Sequence, residues 1–483
     1  MSRDAAEVER TAFRRRAMRE ERDALGPVAV PEGRLWGAET ERSRTHFAIG
    51  DDGVRRWPRH VLRAFGVIKG AAAEANREVG DLDEQRATLI VAAAAEVAAG
   101  DWDHEFPVGV YQTGSGTHSN MNANEVIANR ANLLAGEPLG RYRPVHPHDH
   151  VNRGQSSNDV FPAVMHLATL DAVDALLLGV DRVRAALSAH VREWAELPMI
   201  ARTHLQDATP IMLGDVVAGW LAHVDDATRR IASTRDGLHE LPLGATAVGT
   251  GLNAHREFGR RAVAHVARLS GRPVRPAEHP GAALAGHDAM AAVSAAQRAL
   301  ATALFKIAND IRLYASGPDT GFGELILPAN EPGSSIMPGK VNPSQCEAMT
   351  MVAVQVMGLD AAVAMANAHG QLQLNVYKPL ILHDVLHCAR LLDDACVSFA
   401  RHCLDGMTPH RARIDAHLHA SLMLGTALVP HIGYDAAAAI ALAAHREGRS
   451  LRDAAIASGR VSAAQFDEWV RPAEMARPHR PTS

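Results

Sequence analysis

The strongest chemical signature lies in residues 331–343, EPGSSIMPGKVNP. Three prolines and two glycines prevent a regular helix there, although long helical patterns precede and follow the segment. Successive backbone N–H groups in such a loop can bind an anion, and a lysine supplies a point charge suited to a carboxylate. We therefore interpret the segment as a binding loop for a small anion. Its hydroxyl, ammonium and amide groups belong to Ser334, Ser335, Lys340 and Asn342.

Lysine is rare in this chain. The fifty basic residues include only four lysines, which are Lys69, Lys306, Lys340 and Lys378. Because arginine occupies nearly every other basic position, a lysine inside the 331–343 loop argues against a merely solvated turn.

A second polar stretch, residues 202–210 (RTHLQDATP), precedes a helical pattern. His204, next to Thr203, could act as a general acid or base near neutral pH. The residues alone fit a structural histidine bonded to a backbone carbonyl equally well.

Two further polar stretches stand where helices begin. Residues 114–120 carry Ser115 and Thr117, and residues 155–159 read QSSND, with Ser156, Ser157 and Asn158. Free N–H groups and the helix dipole attract anions at such positions, although each stretch alone is more often a plain N-cap. Four polar loops at helix starts together favour a small dicarboxylate as substrate.

Other chemistries have weaker support. The histidines of residues 146–150 and the pair His383 and His387 have spacings that could ligate zinc, but neither forms an HExxH motif. The chain contains no GxGxxG fingerprint, and residues 114–117 do not form the Gly-x-Ser-x-Gly elbow of many hydrolases. We expect no metal and no organic cofactor.

Hydrophobic periodicity indicates mainly helical structure. Apolar residues recur at steps of three and four after Ser156, and long helical patterns cover about 211–238, 285–315, 342–368 and 376–405, with a shorter one at 84–99. Five long helices with little strand signal predict an all-α bundle. Irregular interruptions at 239–284 and 316–341 are long enough to suggest functional loops. The predicted divisions are a charged extension at 1–19, an N-terminal domain at 20–154, a central bundle at 155–412 and a small C-terminal domain at 413–483.

Composition narrows the class of protein. Hydrophobic residues make up 47% and charged residues 22%, which is typical of a globular chain, while only 4% aromatics disfavours a β-sandwich. A net charge of −5 gives no bias towards nucleic acid or membrane. The four cysteines lack CxxC spacing, no uninterrupted apolar run is long enough for a membrane span, and the acidic N-terminal residues do not resemble a targeting peptide. We therefore expect a cytoplasmic protein.

Taken together, these motifs resemble the fumarase/aspartase superfamily. The segment GSSIMPGKVNP at 333–343 is similar to its signature loop, and the continuation SQCEA at 344–348 resembles class II fumarases in particular. The stretches TGSGT (113–117), QSSND (155–159), RTHLQD (202–207) and TAVGTGLN (246–253) match in order and spacing. The resemblance runs from about residue 21 to about residue 475.

The resemblance implies a three-domain, mainly α fold whose central helices assemble into a tetrameric twenty-helix core, with each active site shared by three subunits. It implies reversible hydration of fumarate to (S)-malate without metal or organic cofactor. Ser334 would be the base that removes the C3 proton of malate, and His204, paired with Glu347, would handle the water or hydroxyl. Binding of the substrate carboxylates would fall to Ser115, Thr117, Ser156, Ser157, Asn158, Thr203, Ser335, Lys340 and Asn342.

The resemblance also implies a second, non-catalytic dicarboxylate site at Arg143, His146 and Asp149. The sequence departs from the family pattern at His118, His148, Gly154, Asp319 and Gln373. The nearest alternative is an aspartate ammonia-lyase, or a lyase for another substituted succinate, on the same scaffold. Aspartases tend to have Pro-Ala-Lys where this chain has PGK at 338–340, so the class II fumarase reading is favoured.

Overall fold

A computed structural model describes residues 17–477. These residues form two compact units. The first comprises the described residues up to Leu176, with Arg230–Arg298 and Val356–Arg390. The second comprises Leu177–Arg229, Ala299–Gln355 and the described residues from Leu391 onward. The predicted extension at 1–19 lies outside the described residues except for its last three, and the division into three domains stays a prediction.

The first unit begins with an antiparallel hairpin of strands Met18–Asp23 and Gly26–Pro31. Alanine-rich helices follow, and a Cβ added at Gly66 would lie 2.5 Å from the backbone nitrogen of Ala98, so the two helices that carry these residues pack very closely. Small residues permit this approach, as the low aromatic content suggests. The helical segments confined to this unit are Ala38–His46, Asp52–Arg55, Arg59–Val79, Glu84–Ala99, Asp103–Glu105, Thr117–Leu134, Pro147–Val151, Arg235–Leu238, Phe258–Ser270 and Pro280–Ala285, and Glu240–Leu241 pairs in parallel with Arg275–Pro276.

Five long helices contribute residues to both units. They are Ser157–Glu193, Leu213–Ser233, Asp288–Tyr314, Ser344–Ala368 and Lys378–Phe399. Each overlaps one of the long helical patterns in the sequence, which confirms those five predictions.

The second unit contains two antiparallel strand pairs, Pro198–Thr203 with Gln206–Met212 and Leu325–Ile326 with Thr408–Pro409. Its C-terminal part consists of short helices around a cluster of buried apolar side chains that includes Leu428, Ile440 and Phe466. The helical segments confined to this unit are Ala400–Leu404, Arg411–Ala420, Leu422–Leu428, Val429–Ile432, Tyr434–Glu447, Leu451–Ala457, Ala463–Trp469 and Pro472–Met475.

The sequence has no uninterrupted apolar run of membrane-spanning length, but two of the long helices are strongly apolar on average. Averaged over eighteen residues, Ser157–Glu193 and Ser344–Ala368 are both apolar enough to cross a membrane. The apolar window is 72% buried within the chain in the first helix but only 22% buried in the second. The first is therefore a core helix, whereas the second presents an apolar face that residues 17–477 leave largely uncovered.

One expectation about the interruptions is wrong. Residues 239–284 are not a structureless loop, because Phe258–Ser270 forms a helix whose buried face includes Phe258, Ala262 and Val266. Residues 316–341 are irregular apart from the two-residue strand Leu325–Ile326, as expected.

Candidate active site

The 331–343 loop lies in the second unit and is closed at its base. The backbone N–H of Gly333 donates to the carbonyl of Lys340 at 2.9 Å, and the side-chain amide of Asn342 donates to the carbonyl of Gly333. The loop therefore brings Ser334, Ser335, Lys340 and Asn342 into one compact turn.

Ser334 is hydrogen-bonded to the backbone of its own loop. Its Oγ accepts hydrogen bonds from the backbone N–H groups of Ile336, at 3.2 Å, and Met337, at 3.1 Å. Donors aimed at a hydroxyl oxygen stabilise negative charge on it. The loop thus holds two backbone donors against the Ser334 hydroxyl.

Thr203 and His204 lie at the tip of the hairpin formed by Pro198–Thr203 and Gln206–Met212, hereafter the His204 hairpin. The two central residues of its turn, His204 and Leu205, have φ of 57° and 60°. Positive φ at both positions is typical of a type I′ turn, where glycine, asparagine or aspartate is usual. Strained backbone of this kind is often retained at functional sites, and both side chains are exposed.

The base of the His204 hairpin is anchored by a buried charge cluster that the sequence did not reveal. Arg202 makes a bidentate pair with Glu324 at 2.7 and 2.9 Å, and its guanidinium stacks over Phe322 at 4.1 Å. His417 Nδ1 lies 2.7 Å from Glu324 Oε1, and Glu324 is 1% exposed. These contacts fix the hairpin against the segment that leads into the 331–343 loop.

Glu347, the expected partner of His204, lies in the first turn of helix Ser344–Ala368. Its Oε1 is 3.9 Å from Arg312 Nη2, at the edge of ion-pair distance. The pairing of His204 with Glu347 stays a prediction.

In the first unit, the turn before helix Thr117–Leu134 brings two expected carboxylate ligands together. Ser115 Oγ lies 2.7 Å from Thr117 Oγ1, and both side chains are half-buried. The backbone N–H of Lys378 donates to the carbonyl of Gly114 at 3.1 Å, so a neighbouring segment supports the turn from behind.

Replacing Gly114 with alanine should disrupt this turn. The added Cβ would lie 1.5 Å from the carbonyl oxygen of Val376, so the backbone must move. We expect a destabilisation of about 1–3 kcal/mol or more, which is typical of overpacking, and weaker substrate binding. Thermal melting and KM measure the two effects. Gly219, where a Cβ meets nothing within 4 Å, is the matched control, and equal effects of both alanines would contradict the prediction.

The second group of expected carboxylate ligands lies where helix Ser157–Glu193 begins. Ser156 Oγ accepts from the backbone N–H of Asn158 at 3.1 Å, and the side-chain amide of Asn158 donates to the carbonyl of Ala247 at 2.8 Å. Ser157 Oγ accepts from the Asn120 side-chain amide at 3.2 Å. The start of the helix is thus rigidly held, with hydroxyl groups at the end that favours anions.

Asp159 connects this helix start to the glycine-rich segment 243–253. Its Oδ1 accepts from the backbone N–H of Ser156 at 2.9 Å, and its Oδ2 accepts from those of Gly244, at 3.0 Å, and Thr246, at 2.9 Å. Asp159 is fully buried, and only its place in the QSSND stretch could have indicated it from the sequence.

The residues expected to form the second dicarboxylate site share one segment of the first unit. His146 Nδ1 lies 3.4 Å from Asp149 Oδ2 and accepts from the backbone N–H of His148 at 3.2 Å, while Arg143 is exposed nearby in the chain. His148 Nε2 lies 2.6 Å from Glu39 Oε1, and this hydrogen bond raises the pKa of His148. The departure at His148 therefore places an ion pair beside this segment.

The histidine clusters do not assemble into a metal site. Among residues 17–477, no group of three or more His, Cys, Asp or Glu side chains is arranged to hold a metal ion. The rings of His383 and His387 lie 5.6 Å apart, and burial lowers the pKa of His383 to about 4.

Comparison with known proteins gives a consistent result along the chain. Residues 26–358 match the family model described as lyase, and residues 424–477 match the one described as fumarase C C-terminus. A class II fumarate hydratase from Thermosynechococcus vestitus is 54% identical over 93% of this chain and 96% of its own length. One from Chromobacterium violaceum is 52% identical over 95% and 99%. A solved class II fumarase from Schistosoma mansoni superposes with a TM-score of 0.93 at 40% identity, covering 96% of this chain and 100% of that one.

Proposed function

The chain belongs to the class II fumarases of the fumarase/aspartase superfamily, with their mainly α fold, and we propose that it catalyses the reversible hydration of fumarate to (S)-malate. The observation that carries the mechanism is the pair of backbone N–H groups, from Ile336 and Met337, that donate to Ser334 Oγ. A serine hydroxyl is a very weak acid, so it can act as a base only where its alkoxide is stabilised.

In the direction of malate dehydration, the Ser334 alkoxide removes the proton from C3. The electron pair left on C3 moves into the adjacent carboxylate, which becomes an aci-carboxylate with increased negative charge. Lys340 and Asn342 bind this carboxylate, and their attraction grows as the charge develops. Loss of the C2 hydroxyl then forms the double bond of fumarate.

His204 protonates the departing hydroxyl, which leaves as water, and in the reverse direction removes a proton from the attacking water. Glu347 would orient the imidazole and stabilise its charged form. Side chains carry out every proton transfer in the proposed reaction, which therefore needs neither a metal nor an organic cofactor.

The remaining polar residues would bind the dicarboxylate and hold it close to Ser334. Hydroxyl and amide donors at two helix starts suit the two ends of a rigid dianion. These residues are Ser115, Thr117, Ser156, Ser157, Asn158, Thr203 and Ser335. Arg143, His146 and Asp149 would form a second dicarboxylate site without catalytic function.

We further propose a homotetramer in which three subunits contribute to each active site and the central helices form a twenty-helix core. Helix Ser344–Ala368 supports this, because its apolar window is only 22% buried and Met351 and Met365 are each 67% exposed. Ile336, in the 331–343 loop, is 83% exposed. Apolar surface of this extent is typically covered by a partner. The His204–Glu347 pair could then form between subunits.

The proposed setting is the cytoplasm, in the tricarboxylic acid cycle. All four cysteines are free and buried, which is consistent with a reducing compartment.

Product analysis tests the proposed reaction directly. The purified full-length protein should be incubated separately with fumarate, (S)-malate and aspartate, and the products identified by chromatography or NMR. We expect interconversion of fumarate and malate and no ammonia from aspartate. Release of ammonia from aspartate without malate turnover would instead establish an aspartate ammonia-lyase.

A further inference from the structure

Lys69 is a buried ammonium that the mechanism above does not use. It lies on helix Arg59–Val79 and is 0% exposed. Its Nζ donates to Gln155 Oε1 at 3.0 Å and to Asn152 Oδ1 at 3.1 Å, and both acceptors are neutral amide oxygens. Among the described residues, no carboxylate lies close enough to Lys69 to form an ion pair with it. The negative charge of Asp159 acts on the Lys69 ammonium without direct contact.

The partners of Lys69 lead directly to the carboxylate-binding turn. Gln155 is the residue before Ser156. Asn152 Oδ1 also accepts from the side-chain amide of Asn120 at 3.1 Å, and the same amide donates to Ser157 Oγ at 3.2 Å. Three hydrogen bonds, through Asn152 and Asn120, thus connect Lys69 to Ser157, a proposed substrate ligand.

A buried cation without a counter-ion destabilises the folded protein. Replacing such a residue with an apolar one often leaves the stability unchanged or increases it. The nearby carboxylate does not remove this cost, because Asp159 already accepts three backbone N–H groups. A dianion bound at the start of helix Ser157–Glu193 would supply the missing negative charge.

We propose that Lys69 is a positioning residue for substrate binding, whose buried charge orders the turn at 155–158 and attracts one carboxylate of the substrate to it. This inference rests on the proposed function, because it takes the turn to be a carboxylate site. Lys69 itself does not touch the substrate.

The sign of the pH dependence follows from the surroundings of Lys69. Burial lowers the pKa of Lys69 to about 7, with the charge of Asp159 opposing the shift. The side chains that reach Lys69 from the other packed elements, Asn152 and Gln155, are neutral, and Asn120 and Asn124 behind Asn152 are also amides. Burial raises the pKa of Asp159 to about 6, so this carboxylate is already charged above neutrality. In the free protein the ammonium charge is therefore lost as pH rises above about 7, and KM should rise with it.

Three variants of the full-length protein test the inference by KM, kcat and melting temperature between pH 6.5 and 9. Lys69→Met should raise KM for fumarate by about tenfold at pH 6.5, the equivalent of one pKa unit, and should flatten its rise with pH. Lys69→Arg keeps its charge at every pH and should hold KM constant up to pH 9. Lys306→Met removes an exposed lysine paired with Asp310 and should leave KM unchanged.

Calorimetric binding of succinate, a dicarboxylate that cannot be dehydrated, separates this inference from the proposed reaction. Lys69→Met should bind succinate about tenfold more weakly than wild type, whether or not fumarate is the natural substrate. Wild-type KM, pH profile and succinate affinity in Lys69→Met would overturn the inference. If that variant does not fold, a KM that still rises between pH 7 and 9 in Lys69→Arg would overturn it.

Discussion

Replacing Ser334 with alanine is expected to lower kcat for fumarate and malate by on the order of 10⁴-fold, the upper end of the range for loss of a positioned base. The side chain supplies the oxygen that accepts from the backbone N–H groups of Ile336 and Met337. Alanine leaves those donors in place but removes the base they stabilise. Steady-state rates followed by the absorbance of fumarate measure the loss.

The neighbouring Ser335 provides a matched control in the same loop. Ser335 is exposed, and we expect Ser335→Ala to act mainly on KM, since its proposed role is to bind a carboxylate. Both variants should keep the wild-type oligomeric mass and nearly the wild-type melting temperature, because the two turn hydrogen bonds that Ser334→Ala loses are exposed and cost only about 1 kcal/mol each. A Ser334→Ala variant with kcat near that of Ser335→Ala would remove Ser334 from the role of base.

The sequence predicted the five long helices and the helix near 84–99, but it missed two amphipathic helices of the first unit. The pattern at 84–99 coincides with helix Glu84–Ala99, whose capping residue Asp83 accepts from the backbone N–H of Arg86. Helix Arg59–Val79 was not predicted, although its apolar residues lie on one face and fourteen of its 21 residues are buried. Phe258–Ser270 also has an apolar face but falls within the interruption predicted at 239–284.

The polar stretches were predictable because clusters of Ser, Thr, Asn, Gly and Pro favour turns and helix starts. Their supports were not, because the supporting residues are distant in the chain. The residues beside Arg202 in the sequence do not indicate that it pairs with Glu324. Those beside Gln155 do not indicate that it accepts a hydrogen bond from Lys69. One signal was available for Lys69, since it is one of only four lysines in the chain. A lysine retained among so many arginines suggests a site where a compact ammonium is needed.

The departures from the family pattern differ in their physical meaning. Gly154 has φ of 69°, a conformation that strains a serine side chain, so glycine suits this backbone better. His118 hydrogen-bonds Ser43 at 2.9 Å and packs against Phe47, which gives it a structural role. Nothing in the structure explains Asp319.

The second large effect is expected for His204→Asn, which should lower kcat by on the order of 10²-fold or more through loss of the acid–base group. The substitution is well suited to the backbone, because asparagine tolerates the φ of 57° better than most residues. The anchor formed by Arg202 and Glu324 lies below the tip and remains intact. The loss should therefore be chemical, with melting temperature and oligomeric mass unchanged.

Leu205 offers the matched control for this turn. It has φ of 60° and is exposed, so Leu205→Asn places an asparagine in a similar backbone conformation without removing an acid–base group. We expect its kcat to stay close to wild type, and the difference between the two variants isolates the imidazole. If His204→Asn also kept a kcat close to wild type, the proton transfer at the C2 oxygen would have to be assigned to another residue. If both variants lost activity equally, the turn itself rather than the imidazole would be the requirement.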